Sequence, residues 1–347
     1  MTTRSTRRGK QAITIRDVAE RLGVSAMTVS NALNGRGGMS DETRRGVLNA
    51  VATLGYVPNE AARALARAQT VKIGFVQPNH HNAFLSGVLV GALQTCRQLG
   101  AQLLLLSPSS RSLDAVCETV ETLIASGANG ILMAPPFAEM YEQSGRGIGA
   151  PVPFAAVSPG RPISGMLSVR VDDRKAAGAL VDHLVQSGCS TIALIAGPLD
   201  HSSAGARAEG YRDALARNNL SFDPDLVVQG TFEFHSSADA IRKLLTRERL
   251  PDAIFASNDD MAAAALQIAI QSGIKVPEDL AIAGFDDAEI ASRLWPTLTT
   301  IRLPVEEIAR ACTASLIRRV LGIEEVDDQL VEYELVERGS TGRVQSR

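Results

Sequence analysis

From residue 71 onward, the chain alternates short, continuous apolar runs with longer stretches of helical periodicity. The apolar runs span residues 71–76, 103–106, 130–133, 154–157, 191–195, 226–228, 253–255 and 280–283. Runs of this kind indicate strands that are buried on both faces, which is typical of parallel sheets covered by helices. The sequence therefore predicts an α/β fold with parallel sheets for most of its 347 residues.

Polar side chains follow these predicted strands, and ligands of such folds bind beyond the carboxyl ends of the strands. The segments in question are residues 79–82, 107, 158, 197–198, 231–232, 257–259 and 286–287. Their amide, hydroxyl, carboxylate and aromatic groups suit a hydroxylated solute with an apolar face. Each of them is equally suited to be a helix cap or a turn residue, so the position at the strand ends is what favours a binding site.

The amino-terminal part of the chain predicts three short helices. Thr14 precedes the first, 15–22, and Gly23 ends it. Ser25 can cap the second, 26–33. A helix, a glycine turn and a second capped helix predict a helix-turn-helix, whose second helix lies in the major groove of DNA.

The early residues of that second helix are expected to face the base edges. They are Ala26, Met27, Thr28, Ser30 and Asn31. The apolar seam between the helices is predicted from Val18, Ala19, Leu22, Val29 and Leu33. A third helix, capped by Ser40, carries Val47, Val51 and Leu54 at helical spacing. A three-helix bundle that binds protein rather than DNA is the alternative.

Charge is distributed unevenly along the chain. The net charge is −3, yet the first 70 residues carry eleven Lys and Arg against five Asp and Glu. A basic head on an acidic body indicates that the head meets a polyanion. A solvated basic tail would have the same composition, so charge supports DNA binding without establishing it.

Several other classes of protein are disfavoured. The four cysteines lie far apart without metal-ligand spacing, and no dinucleotide fingerprint, phosphate-binding loop, nucleophile elbow or zinc-protease motif is present. We therefore expect no enzyme activity, no cofactor and no metal. No apolar run is long enough for a membrane span, and no secretory signal precedes the body. This favours a cytoplasmic protein over a transport-type solute-binding protein.

The amino-terminal motif resembles that of the lactose-repressor family of bacterial transcription regulators. The resemblance is carried by TIRDVAERLGVSAMTVSNALN at residues 14–34, GYVPN at 55–59 and AARAL at 61–65. The family pattern is D-V-A-x-x-x-G-V-S-x-x-T-V-S-x-x-L-N followed by G-Y-x-P-N, which is highly specific, and the likeness continues along nearly the whole chain.

The resemblance implies that Ala26 and Met27 occupy the two principal base-reading positions, with Thr28, Ser30 and Asn31 contacting bases or phosphates. Many members of the family have Arg where Asn31 stands. Asn makes a bidentate contact to adenine whereas Arg favours guanine, so the operator sequence cannot be copied from relatives. The further residues expected at the DNA are Thr14, Ser25, Asn34, Asn59 and Ala62.

Residues 59–67 predict a short helix capped by Asn59, with Ala62 and Leu65 on one face. Alone in water so short a helix is marginal, because nucleation is costly. The resemblance implies that it is a hinge helix, which pairs with its twin in a dimer and inserts Leu65 between base steps in the minor groove. A flexible linker is the alternative.

The resemblance also implies roles in a ligand site. Arg207 matches the family's arginine that grips hydroxyls or carboxylates, Asp286 its acceptor, and Asn258 its amide contact, while Phe232 places a ring near the ligand. An Arg and an Asp that share one cavity can also simply pair with each other. The complete set expected at the ligand is Asn82, Phe84, Ser158, Arg207, Phe232, Asn258 and Asp286.

In that family the body has two similar lobes joined by three crossovers, a fold shared with periplasmic sugar-binding proteins. We therefore predict an all-α helix-turn-helix DNA-binding domain plus a two-lobed, periplasmic-binding-protein-like α/β domain. The expected ranges are a basic disordered arm 1–13, a helix-turn-helix 14–58, a hinge helix and linker 59–70, and a ligand-binding and dimerisation domain 71–347. Crossovers near Asp172, Thr300 and Tyr333 assign 71–171 and 301–332 to one lobe, and 172–300 and 333–347 to the other.

Together these features predict a sequence-specific transcription regulator, by family habit a repressor. Its expected partners are a double-stranded, pseudo-palindromic DNA operator, a second copy of the chain, and a small effector such as a sugar or sugar acid. Two matched half-sites require a dimer, and no leucine-heptad segment follows residue 341 to favour a tetramer.

Overall fold

The computed structural model describes residues 15–25, 28–29, 32, 41–54, 70–79, 82–235, 237–323 and 328–342. The chain divides into two compact units, Met1–Thr70 and Val71–Arg347. The predicted arm 1–13 and most of the predicted hinge segment 59–70 lie outside the described residues.

The amino-terminal unit contains helices α1 (Ile15–Leu22) and α2 (Asp41–Leu54). Residues 28, 29 and 32, in the second predicted helix, are also helical. Gly23 follows α1 with a φ of 65°, a left-handed conformation that glycine adopts without a steric penalty. The core of this unit is formed by Val18, Ala19, Val29, Ala32, Val47 and Ala50, with Leu22, Val24 and Val51 packed against it. Most of the predicted seam is thus buried; Leu33 lies outside the described residues.

The first sheet of the larger unit has the strand order β2-β1-β3-β4-β5-β11, and all its pairings are parallel. Its strands are β1 (Lys72–Val76), β2 (Gln102–Leu106), β3 (Gly130–Met133), β4 (Phe154–Val157), β5 (Leu167–Arg170) and β11 (Asp328–Leu330). The associated helices are α3 (Ala83–Gln98), α4 (Leu113–Ala125), α5 (Phe137–Gln143) and α11 (Val305–Val320). Strands β3 and β4 are buried along their whole length, as their continuous apolar sequences require.

The second sheet has the order β7-β6-β8-β9-β10-β12, with only β12 antiparallel to its neighbour. Its strands are β6 (Ile192–Ala196), β7 (Val227–Gln229), β8 (Ala253–Ala256), β9 (Ala281–Asp286), β10 (Thr299–Arg302) and β12 (Glu334–Val336). The associated helices are α6 (Asp173–Gln186), α7 (Ser202–Arg217), α8 (Ala238–Leu245), α9 (Asp259–Gln271) and α10 (Glu289–Arg293). The prediction of parallel sheets covered by helices is confirmed.

Each sheet forms one lobe, and we call the lobes of the first and second sheets lobe 1 and lobe 2. The chain passes from lobe 1 to lobe 2 after β5, returns after β10, and passes to lobe 2 again between β11 and β12. The second passage differs from its predicted place at Thr300. Strand β10 continues to Arg302, whose partner in β9 is Asp286, so Ile301 and Arg302 belong to lobe 2.

Four strands have no counterpart among the apolar runs: β5, β10, β11 and β12. Their polar residues are stabilised by partners far away in the sequence. Ser168 of β5 donates a hydrogen bond to Asp328 of β11, and Thr300 of β10 donates one to Asp259 of α9 at 2.7 Å. Among the described helices, none combines the length and apolar character that a membrane crossing requires.

Candidate functional site

A cavity lies between the two lobes, where loops and helix starts that follow the strands of both sheets meet. The space between the protein atoms there, including the part open to solvent, is about 590 Å³. Its lining comprises Pro78, Asn82, Phe84, Leu85, Arg111, Pro135, Ser158, His201, Ser203, Arg207, Thr231, Phe232, Asn258 and Asp286. All seven residues predicted from the sequence at the ligand line this one cavity.

Arg207, in the second turn of α7, is 5% exposed and tightly held. Its Nε donates to Asp173 Oδ1 at 2.7 Å, and its Nη1 donates to the carbonyl oxygen of Ser257 at 2.5 Å. The guanidinium carbon lies 3.8 Å from the centroid of the Phe285 ring, a cation–π contact. The guanidinium group therefore has a fixed orientation.

Asp286 faces Arg207, and their nearest atoms, Oδ1 and Nη1, are 3.7 Å apart. This distance is beyond that of a hydrogen bond, so the two charges attract each other without closing a direct pair. Burial raises the pKa of Asp286 to about 7, and the neighbouring Arg207 opposes that shift. Asp286 therefore changes its charge near neutral pH.

The backbone at Asp286 is strained. Its φ is 112° and that of Asp287 is 54°, both in the left-handed region that non-glycine residues seldom adopt. Asp259 holds this turn from α9, because its Oδ2 accepts from the backbone N–H of Ala288 at 2.7 Å. A Cβ at Gly284 would lie 2.2 Å from Asp259 Oδ1, so the carboxylate occupies the space that only glycine leaves.

Two arginines hold the same turn from lobe 2. Asp287 Oδ2 accepts from Arg302 Nε at 2.7 Å, and its Oδ1 accepts from Arg338 Nη2 at 2.6 Å. Arg338 also donates to the carbonyl oxygen of Leu298 at 2.8 Å. These contacts over-determine the strained conformation, which keeps the carboxylate of Asp286 in place at the cavity wall.

The two asparagines of the cavity also cap helices. Asn82 Oδ1 accepts from Leu85 N at 2.8 Å, and Asn258 Oδ1 accepts from Met261 N at 3.0 Å. Asn258 Nδ2 donates to the carbonyl oxygen of Phe232 at 3.0 Å. Both alternatives for these residues therefore coexist: they are helix caps, and they line the cavity. Their oxygens each accept one hydrogen bond at a helix start, and their N–H groups can donate to a ligand where they are not already used, as one N–H of Asn258 is by Phe232.

Six residues of the cavity lining were not named by the sequence prediction. They are Pro78, Leu85, Arg111, Pro135, His201 and Ser203. Thr231 belongs to the strand-end segment 231–232 that the sequence singled out. His201 and Ser203 flank the start of α7, and the ring of His201 meets that of Phe232 edge to face at 5.3 Å between centroids. Burial holds the pKa of His201 below its usual range, against the raising effect of Asp200. The sequence indicated this part of the chain only through Gly197 and Pro198, which follow β6 and precede His201.

At the predicted DNA-reading helix, the structure describes Ser25 and Thr28. Ser25 Oγ accepts from the backbone N–H of Thr28 at 3.0 Å, and the two hydroxyl oxygens are 2.8 Å apart. Ser25 therefore caps the second helix, as predicted. The other residues predicted at the DNA lie outside the described residues: Thr14, Ala26, Met27, Ser30, Asn31, Asn34, Asn59, Ala62 and Leu65.

A helix-turn-helix unit followed by a two-lobed domain with a polar cleft defines a class of protein, the ligand-sensing DNA-binding regulators. Two family models match the chain. Residues 14–59 match the model of bacterial regulatory proteins of the lacI family, and residues 181–341 match that of the periplasmic binding protein-like domain.

Known proteins resemble the chain over almost its whole length. The ribose operon repressor of Escherichia coli (strain K12) is 33% identical over 94% of this chain and 99% of its own. The structure of the transcriptional regulator CelR in complex with cellobiose is 30% identical, covers 94% of this chain and 99% of its own, and has a TM-score of 0.70. The lac repressor dimer bound to operator and the anti-inducer ONPF is 29% identical, covers 96% and 100%, and has a TM-score of 0.71.

The chain belongs to the lacI family of bacterial regulatory proteins. It is a DNA-binding transcription regulator, and its relatives are regulators rather than enzymes.

Proposed function

We propose that this protein represses transcription by binding a pseudo-palindromic operator as a homodimer in the cytoplasm, and that a sugar or sugar acid in the cleft changes its affinity for DNA. The observation that carries the effector proposal is that Arg207 and Asp286 face each other at the wall of the interlobe cavity, 3.7 Å apart and able to bond to a ligand. Coupling between such sites is typically about 1–3 kcal/mol, which changes DNA affinity roughly 5- to 150-fold.

The chemistry of the cavity favours a polyhydroxylated effector. Arg207 and the amides of Asn82 and Asn258 supply N–H donors, ionised Asp286 supplies an acceptor, and the ring of Phe232 supplies an apolar surface. The 3.7 Å separation between Arg207 and Asp286 leaves both groups able to bond to a ligand. The relatives named for ribose and bound to cellobiose support a sugar-type effector.

A dimer is supported by an exposed apolar surface on lobe 1. Val90 and Leu93 of α3, with Leu105 and Leu106 of the edge strand β2, are exposed. Apolar side chains at an uncovered sheet edge are a liability for a free monomer, whereas a second copy would cover them. The lac repressor, a related protein, has been crystallised as a dimer on its operator.

The first experiment selects genomic DNA fragments on the purified protein at near-physiological salt and sequences them, with and without a panel of sugars and sugar acids. We expect a short pseudo-palindrome whose enrichment changes with one compound. The control is Asp286→Ala, which should recover the same operator without the response. If no sequence is enriched under any condition, the proposed operator binding is wrong; if enrichment never changes with a compound, the effector class is wrong.

A further inference from the structure

The start of α7 lacks a cap from its own chain segment. The residue before the helix, His201, makes no side-chain hydrogen bond to the first turn. Instead Glu139, on α5 in lobe 1, accepts from Ser202 Oγ at 2.5 Å and from Ser202 N at 3.4 Å, both through Oε1. A carboxylate is favoured at a helix N-terminus because the backbone N–H groups there carry partial positive charge. Here that carboxylate comes from the opposite lobe.

Gly160 of lobe 1 makes a second contact to the same residue. Its backbone N–H donates to Ser202 Oγ at 2.8 Å, so the hydroxyl donates to Glu139 and accepts from Gly160. A Cβ on Gly160 would lie 2.4 Å from the carbonyl carbon and oxygen of Ser202. The backbones of the two lobes thus meet with no room for a side chain.

This contact adjoins the effector cavity, because His201 and Ser203 on either side of Ser202 line it. Glu139 itself does not line the cavity; it is 5% exposed, and its Oε2 has no hydrogen-bond partner among the described residues. A buried carboxylate oxygen without a hydrogen-bond partner destabilises the folded protein. The cost of burying Glu139 is therefore offset by the hydrogen bonds that its Oε1 accepts from Ser202 at the start of α7.

We propose that Glu139 is a positioning residue for the effector site, which acts through Ser202 to hold the start of α7 against lobe 1 and keep the lobes closed over the cavity. This inference rests on the proposed function, because it identifies a contact between the lobes that effector binding would weaken or strengthen. Opening the lobes breaks all three hydrogen bonds between Ser202 and lobe 1, and moves His201 and Ser203 away from the lobe 1 side of the cavity.

The test measures the distance between the lobes by pulsed electron spin resonance on the full-length protein, without DNA or effector. Spin labels go on Arg146→Cys in lobe 1 and Asp239→Cys in lobe 2, whose side chains are 57% and 93% exposed. All four native cysteines are buried, which directs the labels to the introduced thiols. We expect Glu139→Ala to lower the ratio of closed to open molecules by about tenfold or more, as for the loss of a hydrogen bond to a charged group.

The matched control is Glu142→Ala on the same helix. Glu142 pairs with Arg161 within lobe 1 at 2.6 Å, so its loss should leave the interlobe distance unchanged. Glu139→Gln, whose amide oxygen can still accept from Ser202, should restore much of the closed population. A change confined to thermal stability, with identical distance distributions for Glu139→Ala and the wild type, would overturn the proposal.

Gly160→Ala gives a second test that keeps Glu139 in place. Its Cβ would collide with the backbone of Ser202, so the lobes should separate although each lobe keeps its own packing. If Glu139→Ala does not fold, an unchanged distance in Gly160→Ala still refutes the proposed contact. Because neither DNA nor sugar is present, failure here is distinguishable from failure to find an operator or effector.

Discussion

Asp286 combines a strained backbone with a carboxylate that burial makes difficult to ionise. Both features raise the free energy of the site. A ligand that donates hydroxyl hydrogens to the carboxylate would offset the cost of ionisation, since hydrogen bonds to the charged form favour it. Residues that line binding sites are often strained in this way, and the surrounding structure bears the cost.

Effector affinity should therefore depend on pH through Asp286. The pKa of about 7 means that the carboxylate is largely protonated at pH 6 and largely ionised at pH 8. We expect affinity for a sugar found by the selection to fall several-fold from pH 8 to pH 6, because the protonated group is a poorer acceptor. Calorimetric titrations at both pH values test this, and Asp286→Asn should bind weakly with no such dependence. Equal wild-type affinities would contradict the assignment.

The raised pKa of Asp286 also makes the free energy of unfolding depend on pH. The folded-state pKa of about 7 lies above the value near 3.9 expected for unfolded Asp, so ionisation costs the folded state. The cost is absent below about pH 4, grows as the pH rises and is complete above about pH 7. Asp286→Asn should thus raise the free energy of unfolding at pH 8, by roughly a few kcal/mol, and less at pH 5. Denaturant melts at both pH values provide the measurement; an equal gain would count against this explanation.

At the scale of elements, the turn after β9 is held by groups from several parts of lobe 2. Arg338 follows β12 and donates hydrogen bonds to Asp287 and to the carbonyl oxygen of Leu298. The guanidinium is largely buried, with its side chain 18% exposed. Its contacts should be worth more than those of a solvent-exposed ion pair.

Arg338→Met should lower the free energy of unfolding by about 1–3 kcal/mol and weaken effector binding, because Asp287 and the adjoining Asp286 lose a constraint. The matched control is Arg293→Met. Arg293 pairs with Glu289 on the surface of α10, with side chains 68% and 72% exposed, so its loss should change little. Urea melts and calorimetry on both variants give the comparison; similar effects from the two substitutions would argue that Arg338 does not hold the site.

The hinge helix 59–67 remains a prediction from the sequence. If Leu65 inserts between base steps, Leu65→Ala should weaken binding to the operator while nonspecific, salt-dependent binding persists. Leu48→Ala serves as the control, since Leu48 is an exposed leucine on α2 in the same unit. Titrations of operator and unrelated DNA over a range of salt concentrations test this, and equal losses on both DNAs would refute the wedge.

At the scale of the whole molecule, the arrangement of two lobes around a cleft explains how a small solute can influence a large partner. A ligand that contacts both lobes has differential affinity for their relative orientations, which is the requirement for shifting a conformational equilibrium. A dimer adds a second recognition helix at a defined spacing, which provides most of the specificity for a palindrome.

The proposed dimer predicts that Leu93→Glu combined with Leu105→Glu yields a monomer. Two charges in the exposed apolar surface of lobe 1 would be desolvated on pairing, which disfavours association. Ile148→Glu is the control, because Ile148 is 71% exposed elsewhere in lobe 1. Sedimentation velocity gives the mass of each variant. If the double variant remains a dimer with unchanged affinity for operator DNA, the interface lies on another surface.

Much of this protein followed from local sequence. Apolar runs such as 130–133 and 154–157 predicted buried strands, because a strand that is apolar on both faces is stable only when both faces are covered. Gly23 and Ser25 predicted a helix end and a helix cap, because turn and cap chemistry involves residues only a few positions apart. The strand-end segments predicted part of the cavity lining, whereas Arg207 was named through the family resemblance.

The remaining features depended on groups that meet only in the folded chain. The hydroxyl of Ser168, in a buried strand, donates its hydrogen bond to Asp328, which lies 160 positions away in the sequence. Glu139 and Ser202 carry no local signal, yet they join the lobes across 63 positions of sequence. Local sequence determined the strands with continuous apolar runs, the helices and the turns, because propensity and burial act over short distances, but it did not determine the polar strands β5, β10, β11 and β12. Tertiary structure alone decided which polar groups pair, because hydrogen-bond partners distant in sequence are selected by geometry.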